Sequence, residues 1–256
     1  MVAGGLPRGV DCARMFASSQ GLPVSGGAAK RAYVREMFAA IAPTYDRLNR
    51  VISLSLDQKW RRRAVQFLNW EARPDGTYLD LCAGTLDFAA TLARAPGFGG
   101  RIIGADFVTG MLQLGRNKAP KVAPVTADAL GLPFPDAMFD GATVGWGLRN
   151  LADLDSGLRE AARVLRPGAR MVVLEMSDPP FAPYRAMYHF YFRHVLPWIG
   201  RLVSKHRNAY SWLPESARSF PLAPALAERM RQSGFTDVRY ELLMGGACAM
   251  HVGVKK

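Results

Sequence analysis

Two hydrophobic periods alternate along the chain, and their order predicts the fold. Over residues 34–68 the apolar positions recur at helical spacing, with Met37, Phe38, Ile41, Tyr45 and Leu48 on one stripe. Pro43 lies inside that stripe. It lacks the N–H a helix interior needs, so a break is expected there, with a further helix over residues 56–68. Short apolar runs then alternate with helical stretches. Strands are expected over residues 78–82, 102–105, 122–126, 139–144 and 170–175, and helices over 88–94, 110–118 and 156–165. Arg166, Pro167 and Gly168 read as a turn. Beyond residue 178 the alternation gives way to an aromatic-rich segment, 181–205. A last helix, 223–233, and strands over 238–243 and 249–254 follow. The pattern predicts an α/β fold: a mostly parallel, Rossmann-like sheet with helices on both faces. A helical lid over 34–68 and an aromatic-rich helical insertion over 181–221 are added to it. Residues 1–29, rich in Gly, Ala and Ser, read as a disordered leader, with 30–256 as a single domain. A transit peptide is the other reading of that leader, which carries Arg8, Arg14 and one acid, Asp11.

Composition narrows the classes. The chain has 256 residues, 49% of them hydrophobic, and no apolar run long enough to span a bilayer. Its 33 Lys and Arg against 21 Asp and Glu give a formal charge of +12, which favours an anionic partner such as a membrane leaflet, nucleic acid or an acidic protein. The run from Lys59 to Arg63 is read as a solvated face or as part of such a surface. No nucleic-acid module is recognisable, so nucleic acid is set aside in favour of a transient anionic membrane surface. Cys12, Cys82 and Cys248 are odd in number and far apart. They offer no disulfide framework and no metal spacing, and they suit a reducing cytoplasm. Monomer and homo-oligomer both stay open.

The chemistry is concentrated in Tyr78-Leu79-Asp80-Leu81-Cys82-Ala83-Gly84-Thr85-Leu86-Asp87. An apolar strand breaks into a small-residue turn and then a helix, the arrangement in which backbone N–H groups face a ligand. The next strand also ends in an acid, Asp106, placed to accept hydrogen bonds from both hydroxyls of a ribose. An adenosine-bearing cofactor follows. The turn lacks the G-x-G-x-x-G of dinucleotide enzymes, so S-adenosylmethionine is preferred to NAD or FAD.

Several stretches resemble the C-methyltransferases of ubiquinone and menaquinone biosynthesis, from about Met37 to the end of the chain. They include Phe38–Asn49, Ala129–Asp140, Gly147-Leu148-Arg149-Asn150, Arg163–Gly168, Leu174–Pro179, His194–Gly200 and Tyr210–Pro221. The resemblance implies a class I, S-adenosylmethionine-dependent methyltransferase domain. It would act on a ring carbon of a polyprenylated hydroquinone, from the cytoplasmic side and peripherally at the inner membrane face. It places Gly84 and Thr85 in the methionine-binding turn and Asp106 at the ribose. Asp128 and Ala129 would lie beside the adenine, with Gly145 at the pocket floor, and Tyr45 and Asp46 in the cofactor lid. A helix N-cap is the alternative role for Asp106 and for Asp128. Arg149 is expected to stabilise a phenolate and Asn150 to orient the ring or the loop, with a loop salt bridge as the other reading of Arg149. A water near Arg149, with His194, Tyr188 or Tyr210 as relay, would take the proton. His251 is read as structural.

The chain departs from the family pattern at two places. Leu86 stands where glycine is usual, and leucine resists positive φ. The expectation is weakened but retained cofactor binding, with the Leu86 side chain at the sheet–helix interface. Gln58 replaces a histidine, with no predicted consequence. Two other functions remain open: a different aromatic O- or C-methyltransferase, and a catalytically silent scaffold of a quinone-biosynthesis assembly.

Overall fold

The computed structural model describes residues 22–53, 55–195 and 207–256. Most of the predicted leader, and the part of the insertion over 196–206, lie outside the described residues.

Helix α1 (Gly27–Ile41) starts earlier than residue 30. Leu22 and Val24 pack against Tyr33, Val34, Met37 and Ile41, so part of the segment read as leader is held by apolar contact. The Pro43 break is present as a short 3-10 turn over Ala42–Thr44, followed by α2 (Tyr45–Ile52) and α3 (Leu56–Phe67). Then come β1 (Thr77–Leu81), α4 (Asp87–Ala93), β2 (Arg101–Asp106), α5 (Thr109–Gly115) and β3 (Val122–Thr126). They lead to β4 (Phe139–Gly145), α6 (Leu154–Val164), β5 (Leu165–Met176) and α7 (Ala182–Phe190). The remaining elements are α8 (Arg207–Arg218), α9 (Ala223–Gln232), β6 (Phe235–Leu243) and β7 (Cys248–Lys255).

The seven strands form one sheet in the order β3-β2-β1-β4-β5-β7-β6. β1 pairs in parallel with both β2 and β4, and β7 runs antiparallel to β5 and to β6. Residues along β5 alternate between faces with the strand period of two. Met171 and Val173 join the core under α6 and α9, whereas Val172 and Leu174 join the core under α3, α4 and α5. Strand order reverses at β1 and β4, so their carboxyl ends open the crevice where open α/β sheets bind ligands. The predicted turn at Arg166–Gly168 is instead a bulge inside β5. Leu165 pairs with Phe139 and Arg170 with Gly141, and Arg166 closes the excursion on the Asp140 carboxylate at 2.5 Å. Asp80, the first acid of the motif, is a brace. Its carboxylate accepts from the Ala89 N–H and the Thr143 hydroxyl, and burial pushes it up to about 7.

Leu86 adopts the left-handed conformation, φ 62° and ψ 28°, and is fully buried. Its side chain occupies the space beside Gly104 and Gly115. A Cβ on Gly104 would come 2.4 Å from Leu86 Cδ2, and one on Gly115 would come 2.8 Å from Cγ. The strain therefore belongs to the fold, not to a bound state. It costs about 1–2 kcal/mol, against about 2–5 kcal/mol for deleting a buried leucine side chain. Burial wins. Leu86→Gly is expected to lower stability by about 1–3 kcal/mol, or a few degrees in a thermal melt; a variant melting at or above wild type would refute this balance.

Candidate active site

The turn after β1 is a coil of unusual backbone. Cys82, Gly84 and Leu86 have φ of 53°, 52° and 62°. Asp106, the last residue of β2, ties this turn to the next loop: one carboxylate oxygen accepts from the Gly84 N–H and the other from the Val108 N–H, both at 2.8 Å. Burial raises the Asp106 carboxyl against the opposing pull of these N–H groups. It is not a helix N-cap.

Above the turn lies a cavity lined by Tyr45, Gly84, Asp106, Asp128, Ala129, Gly145 and Asn150. Gly145 is required by packing, because a Cβ there would sit 2.6 Å from the Phe88 ring. Asp128 takes the Leu130 N–H at 3.0 Å and Arg31 of α1 at 2.6 Å, an Asx turn and an ion pair in place of an N-cap. Thr85 is buried and does not line the cavity; its hydroxyl donates to Asp46 at 2.6 Å.

That bond begins a chain of charge joining the lid to the turn. Lys118 bridges Asp46 at 2.8 Å and Asp87 at 2.7 Å, and Arg61 reaches Asp87 at 3.6 Å while pairing with Asp57. Arg61, expected on a solvated face, is buried with its guanidinium 4.9 Å from the Trp146 ring centroid. Its i, i+4 spacing from Asp57 was the available sequence signal.

A second, more apolar cavity adjoins the first and shares Phe38, Tyr45 and Trp146 with it. Its walls include Met37, Trp60, Tyr188, Phe192, Trp212 and Met244. Arg149 lines this cavity and Asn150 the other, so the adjacent pair is split between two sites. Arg149 donates through one guanidinium nitrogen to Glu175 at 2.8 Å and to the Trp146 carbonyl at 2.6 Å, and its backbone N–H reaches Glu175 at 3.2 Å. Asn150 donates to the same carbonyl at 3.1 Å and accepts from the Trp212 indole at 2.8 Å. An indole N–H only donates and a carbonyl only accepts, which fixes the amide orientation. Of the expected relays, Tyr188 lines the second cavity. His194 is exposed on a groove outside it, and the side chain of Tyr210 is outside the described residues. His251 is buried on β7 against the Ala223 carbonyl at 2.9 Å, and burial lowers its pKa.

A family model described as the ubiE/COQ5 methyltransferase family matches residues 27–255. The chain belongs to this family. It is 48% identical over 222 residues to a Thermus thermophilus protein named demethylmenaquinone methyltransferase, covering 85% of this chain and 99% of the relative. A Deinococcus radiodurans protein of the same name is 46% identical over 239 residues, covering 91% and 97%. Among solved structures, a Thermotoga maritima protein described as a possible histamine N-methyltransferase superposes with a TM-score of 0.61 at 21% identity. That match covers 87% of this chain and all of the other, and it shows the shared fold. The chain is thus a methyltransferase of the ubiE/COQ5 family, with Leu86 accommodated by neighbouring glycines.

In this methyltransferase Lys118 ties Asp46 of α2 to Asp87 of α4. Burial pushes the Asp46 carboxyl up, but hydrogen bonds from Lys118 and Thr85 outweigh it and hold the group below the ordinary carboxylate value. The tie is therefore complete at neutral pH and is lost only as pH falls below the ordinary carboxylate range. Asp46, Lys118 and Asp87 are partly solvated, so each ion pair contributes about 0.2–1 kcal/mol. Lys118→Met is expected to raise the KM for the methyl donor about three- to tenfold with little loss of stability; steady-state kinetics showing an unchanged KM would disconnect the network from the lid.

Proposed function

We propose that the chain transfers a methyl group from S-adenosylmethionine to a ring carbon of a polyprenylated naphthohydroquinone. The naphthalene ring is chosen over a benzoquinol because the relatives at 48% and 46% identity carry the demethylmenaquinone name. The observation that carries the reading is the meeting of the two cavities at Phe38, Tyr45 and Trp146, the more polar one at the strand ends beside Asp106 and Asp128 and the more apolar one with a buried arginine.

The residues of the polar cavity fit the adenosine end of this cofactor. Each Asp106 oxygen holds one backbone donor and keeps a lone pair for a ribose hydroxyl. Asp128 and Ala129 would meet the adenine. Gly84 leaves open the space a Cβ would fill beside Met111 and Tyr45. Thr85, committed to Asp46, shapes the methionine end through the turn. When bound, S-adenosylmethionine supplies an electrophilic methyl carbon: the ring carbon's electron pair forms the new bond as the carbon–sulfur pair stays on sulfur.

Arg149 sets a fixed positive charge at the acceptor cavity, where it stabilises the phenolate that activates the neighbouring ring carbon. Glu175 oxygens hold Arg149 and the Met176 N–H, and Arg149 stays protonated, so the phenol proton and the later ring proton leave to water. Asn150 is a positioning residue that fixes the loop and Trp212. The aromatic walls lower the local dielectric and so strengthen the charge of Arg149.

The same reading rests α7 on an anionic bilayer. The helix buries none of its residues, and Phe181, Met187 and Phe190 are 67%, 59% and 62% exposed beside Arg185 and Arg193. No helix among the described residues is long and apolar enough to cross a membrane. The test presents a short-chain demethylmenaquinol in anionic phospholipid vesicles together with S-adenosylmethionine. The expected product carries its new methyl on a ring carbon, identified by carbon NMR, and the protein sediments with anionic but not neutral vesicles. An O-methyl product, or none, contradicts the acceptor assignment; indifference to vesicle charge contradicts the membrane contact.

A further inference from the structure

The acceptor cavity holds a second buried donor that the mechanism leaves unused. Tyr188, on α7, packs its ring against Phe192 with centroids 4.4 Å apart, and it lines the same cavity as Arg149 and Cys248. Its hydroxyl is buried with no hydrogen-bond partner among the described residues, and the Nε of Arg149 is buried and unpartnered in the same way. The two groups do not bond each other, although a phenol oxygen could accept from a guanidinium. Buried donors without partners are costly and few in native chains. Two of them on one apolar cavity point to a ligand that brings two oxygens.

The para oxygens of a hydroquinone leave the ring in opposite directions, so donors to both must come from different elements. Arg149 follows β4, and Tyr188 stands on the helix that follows β5. We propose that Tyr188 donates a hydrogen bond to the second ring oxygen of the acceptor, Arg149 taking the first, so that the cavity selects a 1,4-dioxygenated ring over a monophenol. This rests on the hydroquinone reading above. Packing needs only the Tyr188 ring, and the hydroxyl adds nothing to it. Burial, with Cys248 and Asp178 adding to it, also pushes the hydroxyl up, so it stays a neutral donor at pH 7.

The experiment compares Tyr188→Phe with wild type on two acceptors: the short-chain hydroquinone and its monophenol analogue lacking the oxygen para to the phenolate. Taking the ratio of kcat/KM values between the two acceptors in each protein cancels their intrinsic difference in reactivity. The expected result is a loss of about tenfold to hundredfold on the hydroquinone and almost none on the monophenol. The KM for S-adenosylmethionine should be unchanged, and the melting temperature equal to or above wild type because an unsatisfied hydroxyl is gone. Equal losses on both acceptors, or a clearly lower melting temperature, would make Tyr188 a packing residue and overturn the assignment, as would an unchanged ratio. If wild type methylates neither acceptor, the hydroquinone reading itself falls and takes this assignment with it.

Discussion

Two groups that are costly to bury, the Arg149 guanidinium and the Glu175 carboxylate, meet 2.8 Å apart where β4 and β5 end, and the site is arranged around satisfying them. Removing one partner of such a pair costs about 3–5 kcal/mol, because the other is left charged and unmatched. The pair is therefore less a source of stability than a fixture. It holds the loop after β4, and that loop presents the Trp146 carbonyl to both Arg149 and Asn150. Through Asn150 the same loop reaches Trp212 of α8, whose ring lies 5.1 Å from Tyr33 of α1. Helices α1 and α8 and the ends of β4 and β5 meet at one polar knot.

Trp146 stands at the boundary that results. Its ring forms part of both cavities and carries the Arg61 guanidinium. Arg61 continues through Asp87 and Lys118 to Asp46, so helix α2 and the wall of the apolar cavity share one set of charges. A methyl donor in one cavity and an acceptor ring in the other would meet across this boundary. That separation lets a charged cofactor and a lipid-like acceptor each have suitable walls.

The sheet was legible because strand periodicity and turn chemistry are local. Val122–Thr126 is placed as expected, β1 is shifted by one residue, and the other predicted strands differ in length at their ends, with a bulge that absorbs Arg166–Gly168 into β5. Asp106 and Gly84 were legible for the same reason, being read from a strand end and the turn beside it. What escaped depends on partners distant in sequence. Lys118 and Asp46 are 72 positions apart, Trp212 and Asn150 are 62 apart, and Arg149 and Glu175 are 26 apart. Only the i, i+4 spacing from Asp57 hinted that Arg61 turns inward from a basic run, and no local pattern could show that Thr85 bonds Asp46. Leu86 was legible in its strain but not in its remedy, which lies in Gly104 and Gly115 on two other elements.

The central claim is that donor and acceptor occupy separate cavities governed by different residues. Calorimetric titration of S-adenosylmethionine into wild type, Asp106→Ala and Arg149→Lys tests it directly, the lysine retaining a charge for Glu175. The account predicts that binding weakens by more than about tenfold in Asp106→Ala, the loss of hydrogen bonds to a charged group. In Arg149→Lys it should stay within about threefold of wild type while methyl transfer falls. Equal loss of binding in both variants would mean a single shared site and would contradict the account.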